Sequence, residues 1–308
     1  MKFKTLALPL SIAAALLVGS VASAPAAFAA ETKAKTKTTA KSSGKSVAKT
    51  KTAAVAGAAG LVGVTGIAAV AAVSQTPELD ALNAQCAQQL AGGADLKQAE
   101  DTCNKALSLA EKTAPKSKPM ATALSHQASL FAAKGMTAEA EDGYKKALAM
   151  YEATLNPNHL AVATALSQLA GYYFVHDRYA EALPLYSRAL NIDERALGAE
   201  HPEVAKDLYN LATVNSLLGN YKDAESQGQR CLSIREKVLK ANDPALVRTL
   251  DRMGENFALQ GRLDEALRVY GLAVNASEKS YGADAAETEA FKAKLASVQA
   301  QMSGTAAP

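Results

Sequence analysis

The 308-residue sequence contains no tryptophan, and aromatic residues make up only 5% of it. A core filled by large rings is therefore excluded. An apolar content of 49%, in which alanine prevails, points instead to helices packed through small side chains. Three cysteines are too few for a disulfide-dense scaffold, and their odd number leaves at least one thiol unpaired. No HExxH, CxxC or GxSxG occurs, which removes the usual metalloprotease, zinc and hydrolase signatures. The stretch "SGKS" at 43–46 ends like a phosphate-binding loop, but that loop needs a glycine where Thr39 stands. These absences argue against catalysis, and no cofactor or metal is expected.

A strong net charge is also lacking: the chain carries only +3. That total conceals an asymmetry, because Lys2, Lys4 and seven lysines between 33 and 51, less Glu31, put +8 before residue 53 and leave −5 for the remainder. The larger part is mildly acidic and has no global reason to seek nucleic acid. Residues 1–29 have the layout of a secretory signal peptide: a basic start, an apolar run from Leu6 to Ala22, and Ala27-Phe28-Ala29 as a small-x-small exit. Residues 30–52 form a lysine-rich arm with little to bury, expected to be disordered and able to meet anionic polymers or lipid head groups.

Residues 53–73 are twenty-one residues without a charge, long enough to span a bilayer. Nine alanines and four glycines make the run weakly apolar, and the lysines ahead of it oppose the positive-inside preference. Apolar linker and membrane anchor both stay open for it. The expected location is exported, periplasmic or secreted, with inner-membrane anchoring as the variant.

From residue 76 onward the chain repeats itself. "HPEVAKDLYNLATVNSLLGNYKDAE" from 201 aligns with "DPALVRTLDRMGENFALQGRLDEAL" from 243 at a step of 42, which also holds back to 159 and 117. A more degenerate copy begins near Thr76 with a step of 41. Each copy carries three small residues: Ala87, Ala99, Ala106; Ala128, Ala140, Ala147; Ala170, Ala182, Ala189; Ala212, Ala224, Cys231; Gly254, Ala266, Ala273. The first lies on one helix and the other two on the next. Gly135, His176-Asp177, Gly219 and Gly261 mark the turn between them, and Leu124, Leu166, Leu208, Leu250, Tyr144, Tyr186 and Tyr270 fill the remaining space.

This spacing resembles the tetratricopeptide repeat. The 42-residue step, with "HPEVA", "RYAEALPLYSRAL" and "IREKVL", is similar to the kinesin-light-chain variety. The resemblance implies an all-α fold, a right-handed superhelical solenoid of about five helical hairpins over 76–284 (near 76–117, 118–158, 159–200, 201–242 and 243–284). A capping helix is expected over 285–302 and a frayed tail over 303–308. In the first copy Asn83 takes the usual leucine site and Cys103 the usual aromatic site. An oxidising compartment would permit a Cys86–Cys103 bridge, but in this register Asn83, one helical turn from Cys86, faces Cys103. Cys231 reads as a small buried thiol.

Stacked hairpins leave a groove lined by first helices, which the resemblance assigns to a bound peptide. Carried over copy by copy, that side holds His126, Gln168, Asn210 and Arg252, with Lys206, Tyr209, Arg248 and Glu255 nearby, and Asn210 matches the family's asparagine. Lys206, Arg248 and Arg252 make the C-terminal half basic, which suits an acidic segment or a C-terminal carboxylate. His159 and His201 read as helix-start residues and His176 as a turn residue. The functional expectation is an exported, non-enzymatic scaffold that holds a protein or peptide segment in its groove. The alternatives are a membrane-anchored assembly platform using 53–73 and an anionic-polymer binder using the lysine arm.

Overall fold

A computed structural model describes residues 77–92 and 95–304. The expectations for 1–29, 30–52 and 53–73, and for the end of the 303–308 tail, lie outside the described residues. Among the described residues there are eleven helices: α1 (Pro77–Ala91), α2 (Leu96–Thr113), α3 (Lys118–Ala133), α4 (Thr137–Thr154), α5 (Leu160–Val175), α6 (Tyr179–Leu197), α7 (Pro202–Leu217), α8 (Tyr221–Val238), α9 (Pro244–Leu259), α10 (Leu263–Tyr281) and α11 (Ala286–Met302). Each packs on the next. The first helices of neighbouring hairpins also touch, α1 on α3 and α7 on α9, which puts first helices on the inner side of the stack.

The local chemistry repeats with the sequence. Side chains one step apart cap the first helices: Ser117 Oγ accepts from the Met120 amide, His159 Nδ1 from Ala161 at 3.0 Å, His201 Nδ1 from Glu203 at 3.2 Å, and Asp243 Oδ1 from Ala245 at 2.8 Å. Each caps an amide that the helix leaves without a partner. His159 and His201 are thus helix-start residues, as expected. Among second helices only α2 has such a cap, Asp95 Oδ1 accepting from the Lys97 amide at 3.0 Å; α4, α6, α8 and α10 have none. The preceding turn is instead closed by backbone bonds, with a left-handed residue at Gly135, Asp177, Gly219 and Gly261. Asp177 is the one non-glycine there, with φ 58°.

The core follows the small residues. Ala99, Ala106, Ala128, Ala140, Ala147, Ala170, Ala182, Ala189, Cys231, Ala266 and Ala273 are all 0–1% exposed. Where two faces meet, even a methyl is too much: a Cβ on Gly254 would lie 2.7 Å from the Tyr270 ring, and one on Gly143 2.8 Å from the Ala128 Cβ. Tyr186 and Tyr270 are buried at the aromatic position, while Gly228 holds it in the fourth hairpin.

The first hairpin corrects the register. Its α1–α2 connection spans four residues, 92–95, against three in the other hairpins. The step is therefore 42 for the first helix and 41 only for the second. The small position is then Cys86, fully buried, while Ala87 is only half-buried. Cys86 and Cys103 take the sites that Gly254 and Tyr270 take in the fifth hairpin, and they are joined by a disulfide with Cα atoms 5.1 Å apart. Asn83 does not face Cys103; it is buried one turn away, its Nδ2 donating to the Pro119 carbonyl at 3.2 Å.

At the other end, α11 is the first helix of a sixth, incomplete repeat. Ala285 stands 42 residues after Asp243, and Ala296 after Gly254. Lys292 and Gln299 replace Leu250 and Phe257, so the face that would meet a second helix is polar, as a terminal cap requires.

Two helical glycines should respond oppositely to substitution. Gly254→Ala drives a methyl into the Tyr270 ring and should destabilise by about 1–3 kcal/mol. Gly228→Ala meets only the flexible Met253 Cγ, at 3.0 Å, and should stabilise by about 0.5–1 kcal/mol through helix propensity. Urea unfolding measures both. Breaking the Cys86–Cys103 bridge, which closes 17 residues, should cost the first hairpin about 3 kcal/mol. Thermal unfolding with and without reductant, against Cys86→Ala/Cys103→Ala, reads it.

Candidate functional site

The inner face is built from one residue position per first helix: His126, Gln168, Asn210, Arg252 and, one step beyond the expected set, Lys294. Forty-three residues before each of the last four stand Ser125, Ser167, Tyr209 and Asp251, which sets up a rung between neighbouring first helices. Two rungs are closed: Ser125 Oγ donates to Gln168 Oε1 at 2.6 Å, and Lys294 Nζ donates to Asp251 Oδ1 at 2.5 Å. On the rung from Tyr209, Arg252 gives its hydrogen bond to Glu255 on its own helix instead. The rung between Ser167 and Asn210 is open: both side chains are half-buried and neither bonds to another described residue.

The candidate cations are largely engaged. Lys206 pairs with Glu203 at 3.1 Å, one turn back on α7. Arg252 pairs with Glu255 at 2.7 Å, and Glu255 also receives Lys294 at 3.0 Å. Arg248 is exposed and in no ion pair among the described residues. The C-terminal half of the groove is therefore a balanced network with one free guanidinium rather than a broadly basic surface. Asp251 lies at its centre, its carboxyl pushed above the usual range by burial and by the Glu255 charge, against the opposing pull of Lys294.

His126, in the same inner row, is half-buried. Its Nδ1 is enclosed without a partner, and burial lowers its pKa to about 4, so the ring is neutral at pH 7. His176 closes a turn through Tyr172, its Nδ1 2.8 Å from that carbonyl oxygen. Cys231 is fully buried with its Sγ 3.0 Å from the Ala205 carbonyl oxygen.

Between α7, α8 and α9 the missing ring at Gly228 leaves a cavity of about 10 Å³ beside Tyr209, Ala212, Arg252 and Asn256, room for about one water. A shallower apolar depression of about 750 Å³ lies between α3 and α4, lined by Met120, Leu124 and Met150 and flanked by Lys116 and Lys146. None of the candidate groove residues lines it. Among the described residues no three His, Cys, Asp or Glu side chains come together to hold a metal, and no helix is long and apolar enough to cross a membrane.

The residues that sequence reasoning missed here are Ser125, Asp251 and Lys294. Extending the 42-residue step once more, past Arg252, would have found Lys294.

Helical hairpins of a single period, small residues at every crossing and an inner row of polar first-helix side chains define a repeat solenoid of the protein-binding class. The chain belongs to the tetratricopeptide repeat family, whose sequence profile matches residues 119–176, 162–237 and 218–279, just over half its length. Solved structures agree on the fold. A Podosopora anserina protein designated a kinesin light chain, with nearly identical TPR-like repeats, superposes with a TM-score of 0.58 at 18% identity, covering 67% of this chain and 99% of that one. RapI in its apo form gives 0.58 at 17% identity over 73% of this chain and 77% of its own. Aspartyl phosphate phosphatase F from Bacillus subtilis gives 0.57 at 16% identity over 74% and 57%. No curated protein matches the chain.

The Lys294 rung should matter to the whole C-terminal end. Lys294→Ala leaves Asp251 and Glu255 beside each other without their shared cation. A loss of about 1–3 kcal/mol is expected, read by urea unfolding and by faster amide exchange in α11.

Proposed function

We propose that the protein is an exported, non-enzymatic scaffold that holds an extended segment of another protein in its inner groove, centred on Asn210. The open rung carries this reading. Where the Ser125–Gln168 and Asp251–Lys294 rungs use their polar groups on one another, Asn210 keeps both an amide donor and an acceptor free, the pair a peptide backbone needs. Arg248, one step after Lys206 and without a partner carboxylate, supplies a site for an acidic side chain or a terminal carboxylate. Export is supported by the signal-peptide layout of residues 1–29 and by the disulfide in the first hairpin, since such bonds persist in oxidising compartments.

The test is crosslinking capture from the native envelope with the wild-type chain beside Asn210→Ala and Arg248→Glu. Both sites are solvent-accessible, so stability should hold within about 0.5 kcal/mol. A partner captured by the wild type should be held roughly tenfold less tightly by Asn210→Ala, from the loss of backbone hydrogen bonds of about 1 kcal/mol each. Arg248→Glu should weaken it further and flatten its salt dependence. Equal capture by all three proteins would refute the groove and turn attention to the lysine arm and residues 53–73.

A further inference from the structure

The joint between the third and fourth hairpins contains two carboxyls that the groove does not use. Asp193 on α6 and Asp207 on α7 are 9% and 3% exposed. They take the two positions that meet one period on, where Arg235 and Thr249 are 2.7 Å apart, and Asp207 Oδ2 is enclosed without any partner. The same point in the next joint is filled differently: Arg235 on α8 donates to Thr249 Oγ1 on α9 at 2.7 Å and to the Ala245 carbonyl at 2.8 Å. In the following joint Ser277 stands at the Asp193 position and Phe291 at the Asp207 position, and the Ser277 hydroxyl meets that of Thr288, one turn before Phe291, at 2.9 Å. Before it, Tyr151 stands at the Asp193 position and Ala165 at the Asp207 position. One joint of the stack is thus closed by two acids, and two buried carboxylates cannot both be charged at contact distance.

We propose that Asp193 and Asp207 share one proton and make this joint a proton-operated hinge, closed while the proton is held and loosened when it leaves for solvent and both carboxylates face each other charged. Burial pushes both carboxyls above the usual aspartate range, and the neighbouring Asp193 charge helps raise Asp207 to about 8. The other groups that reach the pair are Tyr186 on α6 and His201, Glu203 and Lys206 at the start of α7; Lys206 opposes the rise and Glu203 adds to it. From α8, Cys231 turns to the Ala205 carbonyl and Arg235 to Thr249 rather than to the acids. A folded-state value raised above the unfolded one means that the stabilising contribution is complete below about pH 4 and declines as pH rises towards about 8. Lys206, Tyr209 and Asn210 follow Asp207 or precede it by no more than one turn of α7, so the hinge moves the centre of the groove.

The hinge does not depend on any ligand, and its test needs none. Amide exchange of the full chain is followed between pH 5 and 9, corrected for the intrinsic rate, in α6–α7 and, as an internal control, in α8–α9. Opening of α6–α7 should increase by up to about tenfold per pH unit, the limit for one linked proton, and level off above pH 8. The Arg235–Thr249 joint should not follow it. Asp207→Asn, whose amide donates to Asp193 as the shared proton does, should flatten the profile and exceed the wild type in protection at pH 9. Asp193→Asn serves as the second variant should the first fold poorly. An α6–α7 profile in the wild type that parallels α8–α9, or unchanged pH dependence in either folded variant, would overturn the proposal.

Discussion

Everything in this molecule depends on how closely two helix backbones approach at one small residue per hairpin. With alanine, glycine or cysteine at that point, the facing helix comes near enough that even a methyl on Gly254 would strike the Tyr270 ring. Close approach places the leucines and tyrosines of both helices in one layer, and that layer is completed only by the next hairpin. A hairpin with its apolar face half covered is not a stable object, so the chain repeats the unit and ends it with a polar-faced helix at one end. The Cys86–Cys103 bridge follows from the same constraint. At the other end, where a cysteine replaces the ring, a covalent bond spans the crossing that small-against-aromatic packing spans elsewhere.

The inner face divides its polar groups between holding the stack together and meeting a partner. Ser125 with Gln168 and Asp251 with Lys294 spend them on neighbouring helices, at distances short enough to be real bonds. Asn210 and Arg248 do not. A solenoid that closed every rung would be stiffer and have nothing to offer a ligand, and one that closed none would leave buried polar atoms unpaired at each joint. The middle of the stack is where the rungs open. It is also where a joint is made of two acids instead of a hydroxyl and a guanidinium.

Much of the architecture could be read before any coordinates. The 42-residue step, the alanine positions, the leucines and the turns at Gly135, Gly219 and Gly261 lie where periodicity put them, because each is a local requirement repeated against identical surroundings. Errors gathered where the surroundings change. One extra residue in the 92–95 connection moved Cys86, not Ala87, into the crossing, and spacing alone cannot say which helix absorbs such an insertion. The groove residues were found as positions but not as states. Lys206 and Arg252 are cations whose partners, Glu203 and Glu255, lie three residues away on their own helices, a spacing visible in the sequence but decided by rotamers.

The sequence by itself determined the kind of object: helices from their apolar period, hairpins from small residues and left-handed turns, a stack from repetition, and a capped end from polar residues at apolar positions. All of these follow from contacts that are local or one period apart. Tertiary structure alone decided which polar groups remain free, since a hydrogen bond between α3 and α5 or α9 and α11 depends on angles that no spacing encodes. It decided as well that Asp193 and Asp207, fourteen residues apart and unremarkable in a list, meet out of water, where the cost of charge makes a proton part of the structure.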